Sequence, residues 1–288
     1  TLESINKQSR LLDDALVSIV VNNSDEEQSK RVIENNDKTY KKLVDTSYNF
    51  DMMLIDAYSN GRAIPEKEAG VGMARKISVD MSLHFSSNDS VICFIDADSI
   101  LDEHYLKTIS HSQIKNKWHG ATVNFSHLKD DPKTIKLIED YEYFLKYNSS
   151  KMKECGSPYY HIPLGSTMVC RTSSYVSVGG MNKKKAAEDF YFLQDLQKFR
   201  DIYSIEDILI HPSSRSSDRC YLGTSTRMKK CLDGDLNIPD LHYSEESYKI
   251  LRSWIGVALK SKNNTSSDVL EQCKEIHEGL PEFLIQYN

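Results

Sequence analysis

Apolar residues along the chain alternate between short continuous runs and helically spaced stripes. Ala15-Leu16-Val17-Ser18-Ile19-Val20-Val21 is β-branched and unbroken, the pattern of a strand buried on both faces. Asn22-Asn23-Ser24-Asp25 supplies loop and cap residues before a charged, helix-compatible stretch from Glu26 to Asp45. A second strand reads from Phe50 to Ile55 and stops at the turn chemistry of Asp56-Ala57-Tyr58-Ser59-Asn60-Gly61. Gly70-Val71-Gly72 opens a helix with Ala74, Ile77, Met81 and Leu83 near one stripe, and Val91 to Ile95 is the third strand. This alternation predicts an α/β domain, Rossmann-like, with a mostly parallel sheet flanked by helices.

Beyond Asp98 the pattern loosens. Trp118 to Phe125, Thr167 to Cys170 and Ile205 to Ile210 read as strands, and Pro132 to Tyr147 and Glu188 to Phe199 as helices. Past about Cys231 only helical stripes remain, over Tyr248 to Lys260 and Ser266 to Glu278, the second closed by Gly279 and Pro281. The expected organisation is one domain over 1–230, divided into halves of about 15–100 and 101–230, with a C-terminal helical extension over 231–288.

Composition narrows the function. A formal net charge of -6 argues against gripping a nucleic-acid backbone, which requires a surplus of Lys and Arg. The six cysteines (Cys93, Cys155, Cys170, Cys220, Cys231, Cys273) form no C-x-x-C pair and read as reduced thiols of a cytoplasmic protein. No apolar run approaches the ~20 residues of a transmembrane helix, so only peripheral membrane contact stays open.

Several segments carry candidate chemistry. Phe94-Ile95-Asp96-Ala97-Asp98 ends a strand with two carboxylates one residue apart, facing the crevice where open α/β sheets bind ligands. A hard divalent cation is held by such carboxylates together with substrate phosphate oxygens, although D-x-D also suits an ordinary capped loop. Glu188-Asp189 in a first helical turn suits the helix dipole and equally offers a general base. The segment from His211 to Arg227, rich in Ser, Thr and Arg, can wrap a diphosphate, with Arg215 and Arg219 as the candidate phosphate contacts.

Read together, Val17 to Val21, Leu54-Ile55-Asp56, Gly70 to Lys76, Phe94 to Asp98, Gly165-Ser166, Tyr175 to Met181 and Glu188-Asp189-Phe190 resemble, in order and spacing, the bacterial family 2 glycosyltransferases of GT-A fold, over about residues 15–230. The resemblance implies a nucleotide site in which Asp56 holds the base, Arg75 lies near the nucleotide and Asp96 contacts the ribose. It implies Asp98, with His211, as ligands of a divalent metal (Mn2+ or Mg2+), and Asp189 as the general base of an inverting transfer. Gly165, Ser166 and Glu188 fall in its sugar and acceptor segments, and the loop after His211 resembles one that folds over the donor.

The expected activity is metal-dependent transfer of a hexosyl or N-acetylhexosaminyl group from a nucleoside diphosphate sugar, UDP-sugar favoured, to a glycan or other hydroxyl acceptor. A retaining GT-A transferase and a non-catalytic nucleotide- or glycan-binding GT-A-like domain stand as the alternatives. The chain has no Q-x-x-R-W motif, which separates it from processive polysaccharide synthases.

Overall fold

The computed structural model describes residues 1–8, 13–216 and 223–286. In chain order the first elements are α1 (Leu2–Asn6), β1 (Leu16–Asn22), α2 (Lys30–Asp45), β2 (Asp51–Ala57), α3 (Val71–Ser82), β3 (Val91–Cys93) and the two-residue β4 (Ile100–Leu101). There follow α4 (Tyr105–Asn116), β5 (Gly120–Phe125), α5 (Ile135–Glu154), β6 (Met168–Arg171), α6 (Thr172–Ser177), α7 (Glu188–Phe199) and β7 (Tyr203–His211). The helices α8 (Thr224–Leu232), α9 (Glu245–Lys260), α10 (Ser266–Ile276) and α11 (Leu280–Gln286) complete the chain.

β1 and β2 pair in parallel, with Val21 opposite Asp56, so their carboxyl ends finish side by side. A second sheet has the order β3-β6-β5-β7-β4. Here β5 and β7 are parallel, whereas β6 runs antiparallel to both β3 and β5, and β4 runs antiparallel to β7. The α/β class holds, with a mixed sheet beyond β2. Register shifts between Val123 and Phe125 interrupt the ladder of β5 with β7, as a β-bulge does.

Two apolar layers fix the sheet. On one face Tyr105 and Ile109 of α4 pack with Ala121, Val123 and Phe125 of β5 and with Leu209 and Ile210 of β7. On the other, Val79 of α3 and Phe192, Leu193 and Leu196 of α7 close over Phe94, Met168 and Cys170. Burying a side chain of this size contributes about 1.5–3 kcal/mol. A third cluster joins α5 to α8 through Ile138, Tyr141, Phe144 and Met228, so α8 is anchored to α5.

Boundaries differ from expectation where caps decide. The helix expected from Glu26 begins at Lys30, because the Ser29 side chain accepts from Val32 N–H and caps it there. The third strand stops at Cys93, although Phe94 N–H still donates to the Met168 carbonyl at 3.1 Å. The helix expected over 132–147 runs from Ile135 to Glu154. Among the described residues no helix is long and apolar enough to cross a membrane.

Candidate active site

The carboxyl end of β3, the first turns of α3 and α7, and the turn before β6 meet around one guanidinium. Arg75 on α3 hydrogen-bonds through Nη1 to Glu188 Oε1 and through Nη2 to Asp96 Oδ1. Its side chain is 11% exposed, that of Glu188 6% and that of Asp96 37%. Gly165, in a buried 3-10 turn over Gly165–Thr167, lies flat against the guanidinium: a Cβ there would sit 2.1 Å from Arg75 Nη2. Four of the predicted site residues are therefore in one cluster. Ser166 beside it is fully buried, and its hydroxyl has no hydrogen-bond partner among the described residues.

Local backbone choices place Glu188 and Asp189. Ala187, the N-cap of α7, has φ +59°, a left-handed conformation that costs a residue with a Cβ about 1–2 kcal/mol. The surroundings hold it there. Asn182 Nδ2 donates to the Glu188 carbonyl at 2.9 Å, Lys185 pairs with Glu66 at 2.7 Å and Lys183 with Glu68 at 3.4 Å. Gly72 lets α3 approach this segment: a Cβ at that position would meet the Lys184 carbonyl at 2.6 Å and Glu188 Cβ at 3.0 Å. The Gly70-Val71-Gly72 turn thus serves close packing as well as helix entry.

Charge accumulates at this point. Burial pushes the Glu188 carboxyl above its ordinary range, Arg75 pulls it back, and Asp189 and Asp96 push it further up. Burial likewise raises Asp189, opposed by the Phe190 N–H, which donates to its Oδ1 at 2.8 Å, and by Arg75, with Asp96 adding to the rise. Tyr141 of α5 also faces this group: burial raises its hydroxyl, Arg227 lowers it, and the Asp189 charge raises it. The Arg227 guanidinium lies over the Tyr141 ring, 5.5 Å from its centroid. Arg227 belongs to the Ser-, Thr- and Arg-rich segment singled out in the sequence, whereas the sequence gives Tyr141 no role beyond a place on an apolar helix face.

Asp98 lies nearer the surface and pairs with Arg215 at 2.7 Å, the two side chains 38% and 54% exposed. His211, at the end of β7, stands opposite Ile100 of β4. Its Nδ1 donates to the Ser126 carbonyl at 2.9 Å, which leaves Nε2 as the ring nitrogen not engaged there. The donor set of one carboxylate and one imidazole nitrogen suits a divalent ion whose other ligands are diphosphate oxygens and water. No group of three or more His, Cys, Asp or Glu residues is assembled for a metal among the described residues. Arg219 lies outside the described residues.

Asp56 stands apart from the Arg75 cluster, at the end of β2. Its Oδ1 accepts from Tyr58 and Ser59 N–H at 3.2 and 3.0 Å, and its Oδ2 from the Ser59 hydroxyl at 2.6 Å and Arg62 Nη1 at 3.2 Å. Burial raises this carboxyl, but the Ser59 hydroxyl, the two N–H groups and Arg62 outweigh it and hold it below its ordinary value. The carboxylate thereby shapes the turn that borders a cleft of ≈ 380 Å³, lined by Asn23 and Asp25 of the first loop, Asp37 of α2, and Tyr58 and Asn60.

No protein-family model matches the chain, and no curated protein sequence does. Solved structures do. Residues 1–349 of Staphylococcus aureus TarS in complex with UDP-GlcNAc share 13% identity, with 98% of this chain and 77% of that one covered, at a TM-score of 0.53. The mannosyltransferase PcManGT of Pyrobaculum calidifontis, in complex with GDP-Man and Mn2+, shares 12% identity over 97% of this chain and 64% of its own, at a TM-score of 0.43. The strand order, the helical layers and the likeness to TarS together give this chain the GT-A fold.

Proposed function

We propose that the chain is a glycosyltransferase that moves a sugar from a nucleoside diphosphate donor to an acceptor hydroxyl, with inversion at the anomeric carbon. The observation that carries this reading is the convergence of Asp96, Glu188 and Asp189 on one buried arginine at the carboxyl edge of a GT-A sheet. Such a site sets an acid-rich donor edge against a carboxylate able to take a proton.

In the proposed reaction the acceptor oxygen forms a bond to the anomeric carbon as its proton passes to Asp189. The bond from that carbon to the diphosphate oxygen breaks, and its electron pair leaves with the nucleoside diphosphate. The raised Asp189 carboxyl fits this role, because a base closer to neutral takes the proton with less driving-force penalty. Asp96 faces the ribose, Arg215 the diphosphate, and Gly165 and Ser166 back the sugar site. The cleft at the ends of β1 and β2, with its rim shaped by Asp56, takes the base.

Asp98 and His211 Nε2 would hold a divalent metal, which when bound supplies positive charge against the departing diphosphate. Arg215, already at Asp98, is positioned to add its own charge there. TarS holds UDP-GlcNAc, which makes a UDP-linked N-acetylhexosamine the first donor to try. A cytoplasmic setting agrees with the free thiols among the described residues.

The test is release of UDP or GDP from UDP-GlcNAc, other UDP-hexoses and GDP-mannose, with Mn2+ or Mg2+ and a panel of hydroxyl acceptors, followed by NMR of the product anomer. Transfer with inversion is expected. A product of retained configuration contradicts Asp189 as the base, and absence of any donor binding contradicts the reading as a whole.

A further inference from the structure

We propose, on the basis of the glycosyl-transfer reading, that Arg75 is a positioning residue that ties the donor edge of the site to the acceptor-side base, and that it makes no contact with the nucleotide itself. Three features of its surroundings point this way.

Each of its terminal nitrogens already serves one acid. Nη1 is given to Glu188 and Nη2 to Asp96, and one face of the guanidinium is closed by Gly165, where even a methyl group would overlap it. Two of the five guanidinium N–H groups serve these acids, and with the side chain only 11% exposed little of it is open to a phosphate or a base. The planar fork of arginine suits this bridging role, which a single ammonium could fill only in part.

The two acids it joins belong to different parts of the chain. Asp96 follows β3, and Glu188 begins α7. Glu188 cannot shift without carrying Asp189, since Ala187 is held in a left-handed conformation and the Glu188 carbonyl is bound by Asn182. Through Glu188, Arg75 sets where the Asp189 carboxylate stands relative to the donor edge.

The third feature is charge balance. Asp189 faces Arg75 from α3, Asp96 from the end of β3, Tyr141 from α5 with Arg227 of α8 over its ring, and Glu188 on its own helix. Arg75 is the cation that meets Asp96 and Glu188 directly, and it offsets three clustered carboxylates. Removing it leaves like charges side by side, which favours protonation of the one that must stay ionised.

The experiment uses the full chain and its Arg75→Met, Arg75→Lys and Glu188→Gln variants. The Asp189 carboxyl is followed by 13C NMR titration, and the affinity for UDP with Mn2+ by calorimetry, with circular dichroism to confirm folding. Arg75→Met should move the Asp189 titration to higher pH and Glu188→Gln to lower pH. Arg75→Lys should keep Asp189 near its wild-type position, and UDP affinity should stay within about threefold in all three.

An Asp189 titration that does not move, or that moves the same way in Arg75→Met and Glu188→Gln, overturns the proposal. A loss of UDP affinity of tenfold or more in Arg75→Met that exceeds the loss in Asp96→Asn, measured alongside, overturns it in favour of direct nucleotide contact, since a loss passed on through Asp96 cannot be the larger. If Arg75→Met does not fold, Glu188→Gln decides, because it keeps the arginine. Wild-type protein that binds no nucleotide sugar defeats the transfer reading, while the carboxyl titration still reports on the Arg75 link by itself.

Discussion

Arg75 and Glu188 meet as a hydrogen-bonded ion pair withdrawn from water, with side chains 11% and 6% exposed. Pairs of this kind are costly to assemble and costlier to break, because truncating one partner leaves the other charge buried and unpaired, a loss of about 3–5 kcal/mol.

Gly165 gives a first test. An added Cβ would overlap the Arg75 guanidinium at 2.1 Å, against atoms fixed by two acids. Gly165→Ala should destabilise the protein by about 1–3 kcal/mol, read as a lower urea midpoint at unchanged slope, and should reduce turnover in the same samples. Gly61, which has open space around its missing Cβ but φ +79°, provides a control for backbone strain without a clash.

Asp189→Asn removes the proton acceptor while keeping shape. Transfer should fall by about 10²–10⁴ with UDP affinity little changed. Because burial raises the Asp189 carboxyl, the wild-type rate should fall away on the acidic side at a pH above the ordinary aspartate value, as Asp189 becomes protonated. A pH–rate profile with its acidic limb at the ordinary aspartate value contradicts the assignment.

Away from the site, Glu142 governs acid stability. Burial opposes its ionisation, yet the His127 ring nitrogen, Lys146 and the His127 N–H all bind it, and its pKa is lowered to about 2. A depressed carboxyl stabilises the fold above its unfolded pKa, and that contribution is lost as pH falls through the folded value. The stability supplied by Glu142, of order 3 kcal/mol from the size of the shift, should therefore drain away between about pH 4.5 and 2. Glu142→Gln should be less stable near neutrality and flatter across that window in denaturant titrations. Because Glu142 fixes the segment after β5, the variant also separates stability from chemistry at Asp189.

Much of the frame was legible because it is local. β1 declared itself by a continuous β-branched run and β2 by a short apolar run ending in turn residues, and α7 begins and ends at Glu188 and Phe199 as its apolar spacing predicted. What escaped notice depends on contacts across the fold. β4 is two residues long and exists through pairing with β7, and α4 buries only Tyr105 and Ile109 of its twelve residues, too thin a stripe to stand out. The acids of the site could be singled out from their motifs. That Arg75 lies between two of them, 21 residues from one and 113 from the other, is a tertiary fact with no local trace. The same holds for Gly165, whose missing side chain makes room for a residue far away in the chain.

Binding of a nucleotide sugar at the Asp96 to Asp98 edge is read by calorimetric titration of UDP-GlcNAc, UDP and GDP-mannose with and without Mn2+, on wild type and Asp98→Ala. The Asp98–Arg215 pair is solvent-exposed and worth about 0–1 kcal/mol, so the variant should keep its fold. The account predicts Mn2+-dependent binding of at least one nucleotide sugar in wild type and loss of that dependence in Asp98→Ala. Equal, metal-independent titrations for the two proteins, or no heat with any nucleotide, would contradict it.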